Sequence, residues 1–131
     1  AVCGTTDEPP TVPVCIHRSA LNNAEFRECG TLCANVLSAE QLGTAERLAT
    51  KNISAEERFR LAEWDVLETS APALRHALTS LDCEITSTVE IGTHTVFSFT
   101  VRAAGIAAGD DELVYLGREY QRLDASTSAL V

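Results

Sequence analysis

The sequence contains no methionine, and long hydrophobic runs are missing as well. No apolar stretch approaches the roughly 20 residues of a membrane-spanning helix, which argues against a membrane protein of that kind. The chain also lacks the basic start and apolar run of a secretory signal peptide. Because a translation product begins with Met and this chain begins with Ala1, we expect a processed, trimmed or omitted N-terminus.

Basic residues are few. Ten Lys and Arg stand against 19 Asp and Glu, which gives a net charge of −9. A sequence-independent nucleic-acid binder needs a basic face to displace counterions from phosphate. A protein held electrostatically on an anionic membrane needs a basic face as well. The balance therefore argues against both kinds of partner.

At 131 residues the chain is expected to form one domain, 1–131, around a single core. Its five cysteines are an odd number, with no CxxC pair and no cluster for a zinc site, so we predict no metal. We expect free thiols, a reducing compartment and a cytoplasmic location. Cys15 and Cys83 lie in apolar runs and are predicted to be buried.

The first part of the chain predicts two strands and a helix. Thr11–His17 is a β-branched strand, in which Pro13 fits best near the start, an edge or a bulge. Ser19 is the predicted N-cap of a helix that runs to about Cys29, with Gly30 as its left-handed end. Thr31–Leu37 is the second strand.

Two short helices follow. Ser38 with Gln41 resembles a capping box, and its helix is predicted to run to about Thr50. Ser54, followed by two glutamates, starts another helix that is expected to end near Trp64.

After Pro72 the pattern predicts strands. Residues 73–91 and 94–106 are two long strand-like runs joined by a hairpin at Gly92-Thr93. A turn at 109–111, a last core strand at 113–116 and a frayed tail at 124–131 complete the chain. The expected fold is mainly β with short helices (α+β), an antiparallel barrel.

Common catalytic motifs are absent: there is no GxSxG, GxGxxG, P-loop or HExxH. Three features remain. His17-Arg18-Ser19, between strand and helix, could bind a phosphate; a capped helix with a surface arginine is the alternative. Gly92-Thr93-His94 places an imidazole on a hairpin, as a functional group or an ordinary turn histidine. A C-terminal group could clamp a planar or anionic ligand or simply pack on its strand: Tyr115, Arg118, Tyr120 and Arg122.

Six stretches, taken in order, resemble the flavin reductase family, the NAD(P)H:flavin oxidoreductases with an FMN-binding split barrel. They are similar above all to the small reductase components of two-component monooxygenases, such as that of 4-hydroxyphenylacetate 3-monooxygenase, and to the related reductase of pyrimidine degradation. The matching stretches cover most of the chain: 1–20, 31–41, 57–64, 71–85, 92–101 and 113–123.

The resemblance implies the roles of individual residues. The segment with Val2, Cys3, Gly4, Thr5 and Thr6 would lie along the flavin ring and ribityl chain. His17, Arg18 and Ser19 would hold the phosphate, and Asn35 would lie beside the ring. His94, in the Gly-x-His motif, would act as the catalytic residue that orients the nicotinamide. Tyr120 and Arg122 would close near the flavin and the dinucleotide.

The resemblance also implies a function. The protein would be a homodimer that passes a hydride from NADH or NADPH to N5 of FMN or FAD, and would supply reduced flavin to a partner monooxygenase. The alternative is a non-catalytic flavin-binding or split-barrel interaction protein. Relatives carry roughly 30 to 40 further residues before the position of Ala1, so the N-terminal part of the fold is expected to be missing from this chain.

Overall fold

The structure, a computed structural model, describes residues 3–108 and 111–124. In this part of the chain a five-stranded antiparallel sheet has the strand order β1-β2-β7-β6-β3, and two further sheets have two strands each, β4-β5 and β8-β9. The strands are β1 (Thr6–Asp7), β2 (Pro10–His17), β3 (Thr31–Val36), β4 (Trp64–Val66), β5 (Pro72–Leu74), β6 (Thr79–Ile91), β7 (His94–Ile106), β8 (Glu112–Leu116) and β9 (Glu119–Leu123). None of the helices in the described residues is long and apolar enough to cross a bilayer.

The strand β2 pairs with β7 along its length, and Pro13 lies opposite Ser98. On its other edge β2 pairs with only two residues, Thr6 and Asp7 of β1. A proline has no N–H to give to a sheet and is tolerated where a neighbouring strand is short. Of the three positions predicted for Pro13, a strand start, an edge or a bulge, this pairing fits an edge, because β1 pairs only with Pro10 and Thr11.

The helix α1 spans Leu21–Cys29. Gly30 ends it in the left-handed conformation, with φ of 69°, and donates its N–H to Phe26 O, as the sequence predicts. The predicted N-cap was wrong: Ala20 occupies that position without a side-chain cap. Ser19 is turned instead toward His17, whose Nδ1 lies 2.8 Å from the Ser19 hydroxyl.

The predicted capping box at Ser38 is present, and the helix start predicted at Ser54 also has one. Ser38 and Gln41 cap a 3₁₀ turn, Ala39–Gln41, that continues into α2 (Leu42–Leu48). Ser54 and Glu57 cap α3 (Ala55–Phe59). The helix α3 ends sooner than predicted, and Trp64 begins β4. The side-chain contacts of the capping boxes fix where these two segments start.

The strand-like run predicted over 73–91 is interrupted. It consists of β5 and β6, separated by a turn in which His76 has a φ of 66°. Ala77 donates its N–H to Leu74 O, and Leu78 donates to Val36 O. Residues 73, 74, 77 and 78 are all buried, and an apolar run without alternation does not distinguish a turn from a strand. The predicted hairpin between β6 and β7 is confirmed, with Gly92 at φ 55°.

The chain divides into two compact units. The first is built from the chain up to Ala34, Val66–Pro72 and Leu81–Ala104, and the second from Asn35–Asp65, Ala73–Ser80 and the chain from Gly105 onward. Much of the predicted turn at 109–111 and of the tail at 124–131 lies outside the described residues.

The core of the first unit lies on one face of the β2–β7 ladder. Val12 is paired with Phe99, and Val14 with Phe97; both phenylalanines are fully buried. Phe26 of α1 covers them, with its ring centroid 6.1 Å from each of theirs. Alternation along the strands therefore leaves His17 and His94 on the other face.

None of the five cysteines, all within the described residues, is in a disulfide. Of the two predicted to be buried, only Cys83 is. Cys83 is buried, whereas Cys15 is exposed, because alternation turns its side chain away from the core. Burial, reinforced by the charge of Asp82, raises the pKa of both Cys33 and Cys83 to about 11.

We expect three thiols to react quickly with Ellman's reagent in the native protein at about pH 8, because the thiolate is the reactive form. These are the exposed thiols of Cys3, Cys15 and Cys29. Cys33 and Cys83 should react only after denaturation, which provides the control by releasing all five. Fast native reaction of Cys83 would contradict the raised pKa.

Candidate functional site

The candidate site lies at one end of the β2–β7 ladder. His17 is the last residue of β2 and His94 the first of β7, and they are direct partners in the register. Their rings meet edge to face, with centroids 5.1 Å apart. Two histidines that are 77 positions apart in the sequence thus share one surface.

Arg18 joins this pair to the hairpin turn. Its backbone N–H donates to Thr93 O at 2.9 Å, and its Nη1 donates to Gly92 O at 3.3 Å. The segments His17–Ser19 and Gly92–His94, which the sequence analysis treated separately, therefore form one cluster.

Each imidazole in the cluster has a hydroxyl neighbour. Ser19 donates its backbone N–H to His17 Nδ1 at 3.2 Å, and its Oγ lies 2.8 Å from the same atom. A backbone N–H can only donate, so Nδ1 is the acceptor and a neutral His17 carries its proton on Nε2. The Thr93 hydroxyl lies 2.9 Å from His94 Nδ1.

Sequence reasoning missed a carboxylate in this cluster. Glu90 Oε2 lies 3.3 Å from Arg18 Nε, and Oε1 accepts from Arg27. The Thr95 hydroxyl lies 3.0 Å from Oε2. Burial alone would raise the pKa of Glu90, but the hydrogen bonds from Thr95 and Arg27, with the charges of both arginines, outweigh it and lower the pKa. Glu90 is therefore ionised at neutral pH.

Buried polar groups hold Arg27 in place. Its Nε donates to Asn23 Oδ1 at 3.1 Å and its Nη2 to the Thr95 hydroxyl at 3.2 Å. Asn23 also donates to Thr95 at 3.0 Å, and both residues are buried. The sequence shows Glu90 only as part of a polar alternation on β6, because Arg27 is 63 positions away.

The predicted flavin segment precedes β2. Cys3, Gly4, Thr5 and Thr6 are exposed, while Val2 lies outside the described residues. Thr5 donates its N–H to Thr11 O at 2.9 Å, and the Thr6 hydroxyl accepts from Glu8 N at 3.4 Å. The structure therefore ties Thr5 to the start of β2.

The other predicted residues belong to the second unit. Asn35 Oδ1 accepts from Leu74 N and from the Ser80 hydroxyl, each at 2.9 Å. The ring of Tyr120 lies against Tyr115, with centroids 4.9 Å apart. Arg122 forms ion pairs with Asp111 and Glu40; the hydrogen bond and charge of Asp111, with a smaller effect of Glu40, raise its pKa. These contacts favour structural roles, and ligand roles for the three residues stay predictions.

A cavity of about 440 Å³ also lies in the second unit. None of the predicted site residues lines it. It is bounded by Ser38, Glu40, Gln41, Thr44, Arg47, Leu61, Ala62, Glu63, Leu74, Arg75 and His76. Arg75 on its wall is held by Asp65 and Glu63. Over residues 3–108 and 111–124, no group of three or more His, Cys, Asp or Glu is placed to hold a metal ion.

A family model, the flavin reductase like domain, matches residues 1–124. The chain belongs to this flavin reductase family. The FMN reductase (NADH) RutF of Pseudomonas syringae pv. syringae (strain B728a) is 41% identical over 129 residues, which cover 98% of this chain and 72% of that protein.

Solved flavin reductases share the fold. A flavin reductase from Haemophilus somnus 129PT is 36% identical and matches with a TM-score of 0.89 over 94% of this chain and 78% of its own. BorF, the flavin reductase component of a bacterial two-component tryptophan halogenase, is 25% identical, with a TM-score of 0.83 over 93% and 78%. The predicted family and fold class, an antiparallel split β-barrel with short helices, are confirmed.

Proposed function

We propose that this chain is an NADH-dependent FMN reductase that passes a hydride from the nicotinamide to flavin N5. The 41% sequence identity to an NADH-dependent FMN reductase, over 98% of this chain, supports the reaction. The observation that carries the proposal is the cluster at the end of β2, where an arginine, a serine and two histidines converge. FAD and NADPH are the alternative flavin and donor.

The donors of the cluster fit a phosphate. Arg18 has a side chain that is 59% exposed, so part of its guanidinium faces solvent although Glu90 and Gly92 bind one side. The Ser19 hydroxyl, 2.8 Å from His17 Nδ1, would turn to a bound phosphate, and a neutral His17 adds an Nε2–H. Guanidinium and hydroxyl donors give phosphates their stronger, charge-assisted hydrogen bonds. We therefore assign His17, Arg18 and Ser19 to the flavin phosphate, and the Val2–Thr6 segment to the ring and ribityl chain.

FMN, when bound, supplies the hydride acceptor, so the reaction requires no nucleophile or general base from the protein. The chain has to bind and orient the two nucleotides, since contact distance and alignment set the rate of hydride transfer. His94 is suited to orientation because it is exposed and its ring is fixed between Thr93 and His17.

We expect His94→Ala to raise the KM for NADH about fivefold while the Kd for FMN stays unchanged, because the ring loses a contact to the nicotinamide worth about 1 kcal/mol. Steady-state kinetics and flavin fluorescence would measure the two values. The control is His76→Asn, which changes another histidine and retains a residue type that tolerates a left-handed backbone. An unchanged KM for NADH would contradict this role of His94.

The decisive experiment for the proposed function is NADH consumption by the purified protein, followed by absorbance with and without added FMN. FMN-dependent consumption well above that of FMN and NADH alone would support the reductase. If the protein binds FMN but consumes no NADH, the non-catalytic flavin-binding reading replaces the proposal.

The proposed partner is a flavin-dependent monooxygenase that uses the reduced flavin; the likeness to BorF, a reductase component of a two-component system, supports a partner of this class.

We also propose a homodimer, since Val89 and Ile91 on β6 leave 53% and 60% of their surface exposed. A mass near 14.1 kDa by light scattering would contradict it. Five cysteines without a disulfide support a cytoplasmic location, which fractionation of the source cells would test.

A further inference from the structure

Glu90 forms an ion pair with the guanidinium of Arg18, the group that a flavin phosphate would need. The ion pair between Arg18 Nε and Glu90 Oε2 spans 3.3 Å. Both side chains are about half exposed, at 59% and 42%, so a soluble anion has access to the same group. A carboxylate and a phosphate compete for one guanidinium because both accept hydrogen bonds from the same N–H fork.

The partners of Glu90 are unequal. Arg27 makes the closer ion pair and is held by the buried Asn23 and Thr95. The Thr95 hydroxyl also contacts both carboxylate oxygens of Glu90, at 3.2 and 3.0 Å. Glu90 would keep these two partners if Arg18 turned to another anion, so releasing Arg18 leaves no carboxylate unpaired.

We propose that Glu90 is a specificity-determining residue that acts as an internal competitor for Arg18 and thereby weakens the hold of the site on the flavin phosphate. The inference rests on the proposed function, because it assumes that Arg18 binds that phosphate. Two guanidinium groups and one carboxylate leave the cluster one net positive charge. Binding of the phosphate requires Arg18 to exchange one anion for another, which lowers the net gain.

The consequence concerns exchange of the flavin. A reductase that hands its product to a separate oxygenase has to release the flavin after reduction. A carboxylate that re-forms its ion pair with Arg18 favours that release.

The test is the Kd of FMN and of riboflavin, which lacks the phosphate, for wild type and Glu90→Gln by fluorescence quenching. Glutamine keeps the length of the side chain and removes its charge. We expect FMN to bind about fivefold more tightly, the upper range for an exposed charge pair, with riboflavin unchanged. Glu90→Thr, a residue that favours strands, is a second variant with the same expected direction should the first unfold.

The matched control is Glu84→Gln, which removes an equal charge from the same strand. Glu84 is 51% exposed and paired with Arg102 at 2.7 Å. If Glu84→Gln tightens FMN equally, or if riboflavin gains as much as FMN, the effect is not competition for Arg18. A gain that persists in full when Glu90→Gln is combined with Arg18→Ala would overturn the proposal as well.

The two hypotheses fail in different ways. If wild type binds FMN and riboflavin equally, the assignment of Arg18 to the phosphate is wrong. A different result would show that only the role of Glu90 is wrong. In that case wild type prefers FMN and Arg18→Ala removes the preference, but Glu90→Gln leaves the affinity for FMN unchanged or lower.

Discussion

Replacing Arg18 with alanine should weaken FMN binding by about 1.5–3 kcal/mol, the range for a hydrogen bond to a charged group, which is roughly a 10- to 150-fold higher Kd. Arg18 is the guanidinium of the cluster with the more exposed side chain, 59% against 45% for Arg27. Its backbone N–H bond to Thr93 does not depend on the side chain, so the turn should be retained.

Riboflavin provides the control for this substitution, because its Kd should change little without a phosphate to lose. Arg18→Lys should give an intermediate Kd, since lysine keeps the charge and loses the planar fork. Titration of flavin fluorescence measures all four combinations. Equal losses for FMN and riboflavin would place Arg18 elsewhere along the flavin.

Local interactions account for the parts of the fold that the sequence predicted well. The capping box predicted at Ser38 and the helix start predicted at Ser54 each depend on residues three positions apart, and Gly30 takes the left-handed conformation predicted for it. Such features need only their own segment. The N-cap at Ser19 was wrong because the helix begins one residue later, with Ala20 at the N-cap, and the Ser19 hydroxyl lies against His17 Nδ1.

Long-range contacts account for what the sequence could not predict. The cluster of His17, Arg18 and His94 requires the β2–β7 register, which no local pattern specifies. Glu90 needs Arg27 from a helix 63 positions earlier. Acidic residues are seldom fully buried, yet Asp82 is. Its partners are 13 and 14 positions away.

The charge balance acquires a physical meaning in the structure. The sequence carries an excess of nine negative charges, while its proposed ligands are anions. Carboxylates hold several of its arginines in ion pairs: Arg27, Arg60, Arg75, Arg102 and Arg122. Affinity for FMN therefore depends on a few local donors, and among them a charge change at Arg18 or Glu90 should matter more than one elsewhere on the surface.

Asp82→Asn should lower the free energy of unfolding by about 3 kcal/mol, because it breaks a fully satisfied buried carboxylate. Asp82 Oδ2 accepts from Glu68 N at 2.8 Å and from Thr69 N at 2.6 Å, and Oδ1 accepts from the Thr69 hydroxyl at 2.5 Å. An amide retains one oxygen only, so its NH₂ group faces either the two backbone N–H groups or the Thr69 hydroxyl, which then loses its carboxylate acceptor. Urea denaturation followed by circular dichroism measures the loss.

Glu84→Gln again serves as the control, since an exposed change on the same strand should stay within about 0.5 kcal/mol of wild type.

A second result separates the loss of hydrogen bonds from the loss of charge. Burial is the main cause of the raised pKa of Cys33 and Cys83, and the charge of Asp82 is the next. Asp82→Asn should therefore make both thiols more reactive at urea concentrations below the unfolding transition. Three hydrogen bonds to a buried carboxylate should contribute more than a single ordinary hydrogen bond, whose net value is about 1 kcal/mol. A smaller loss of unfolding free energy would therefore show that these contacts do not hold Thr69 to β6.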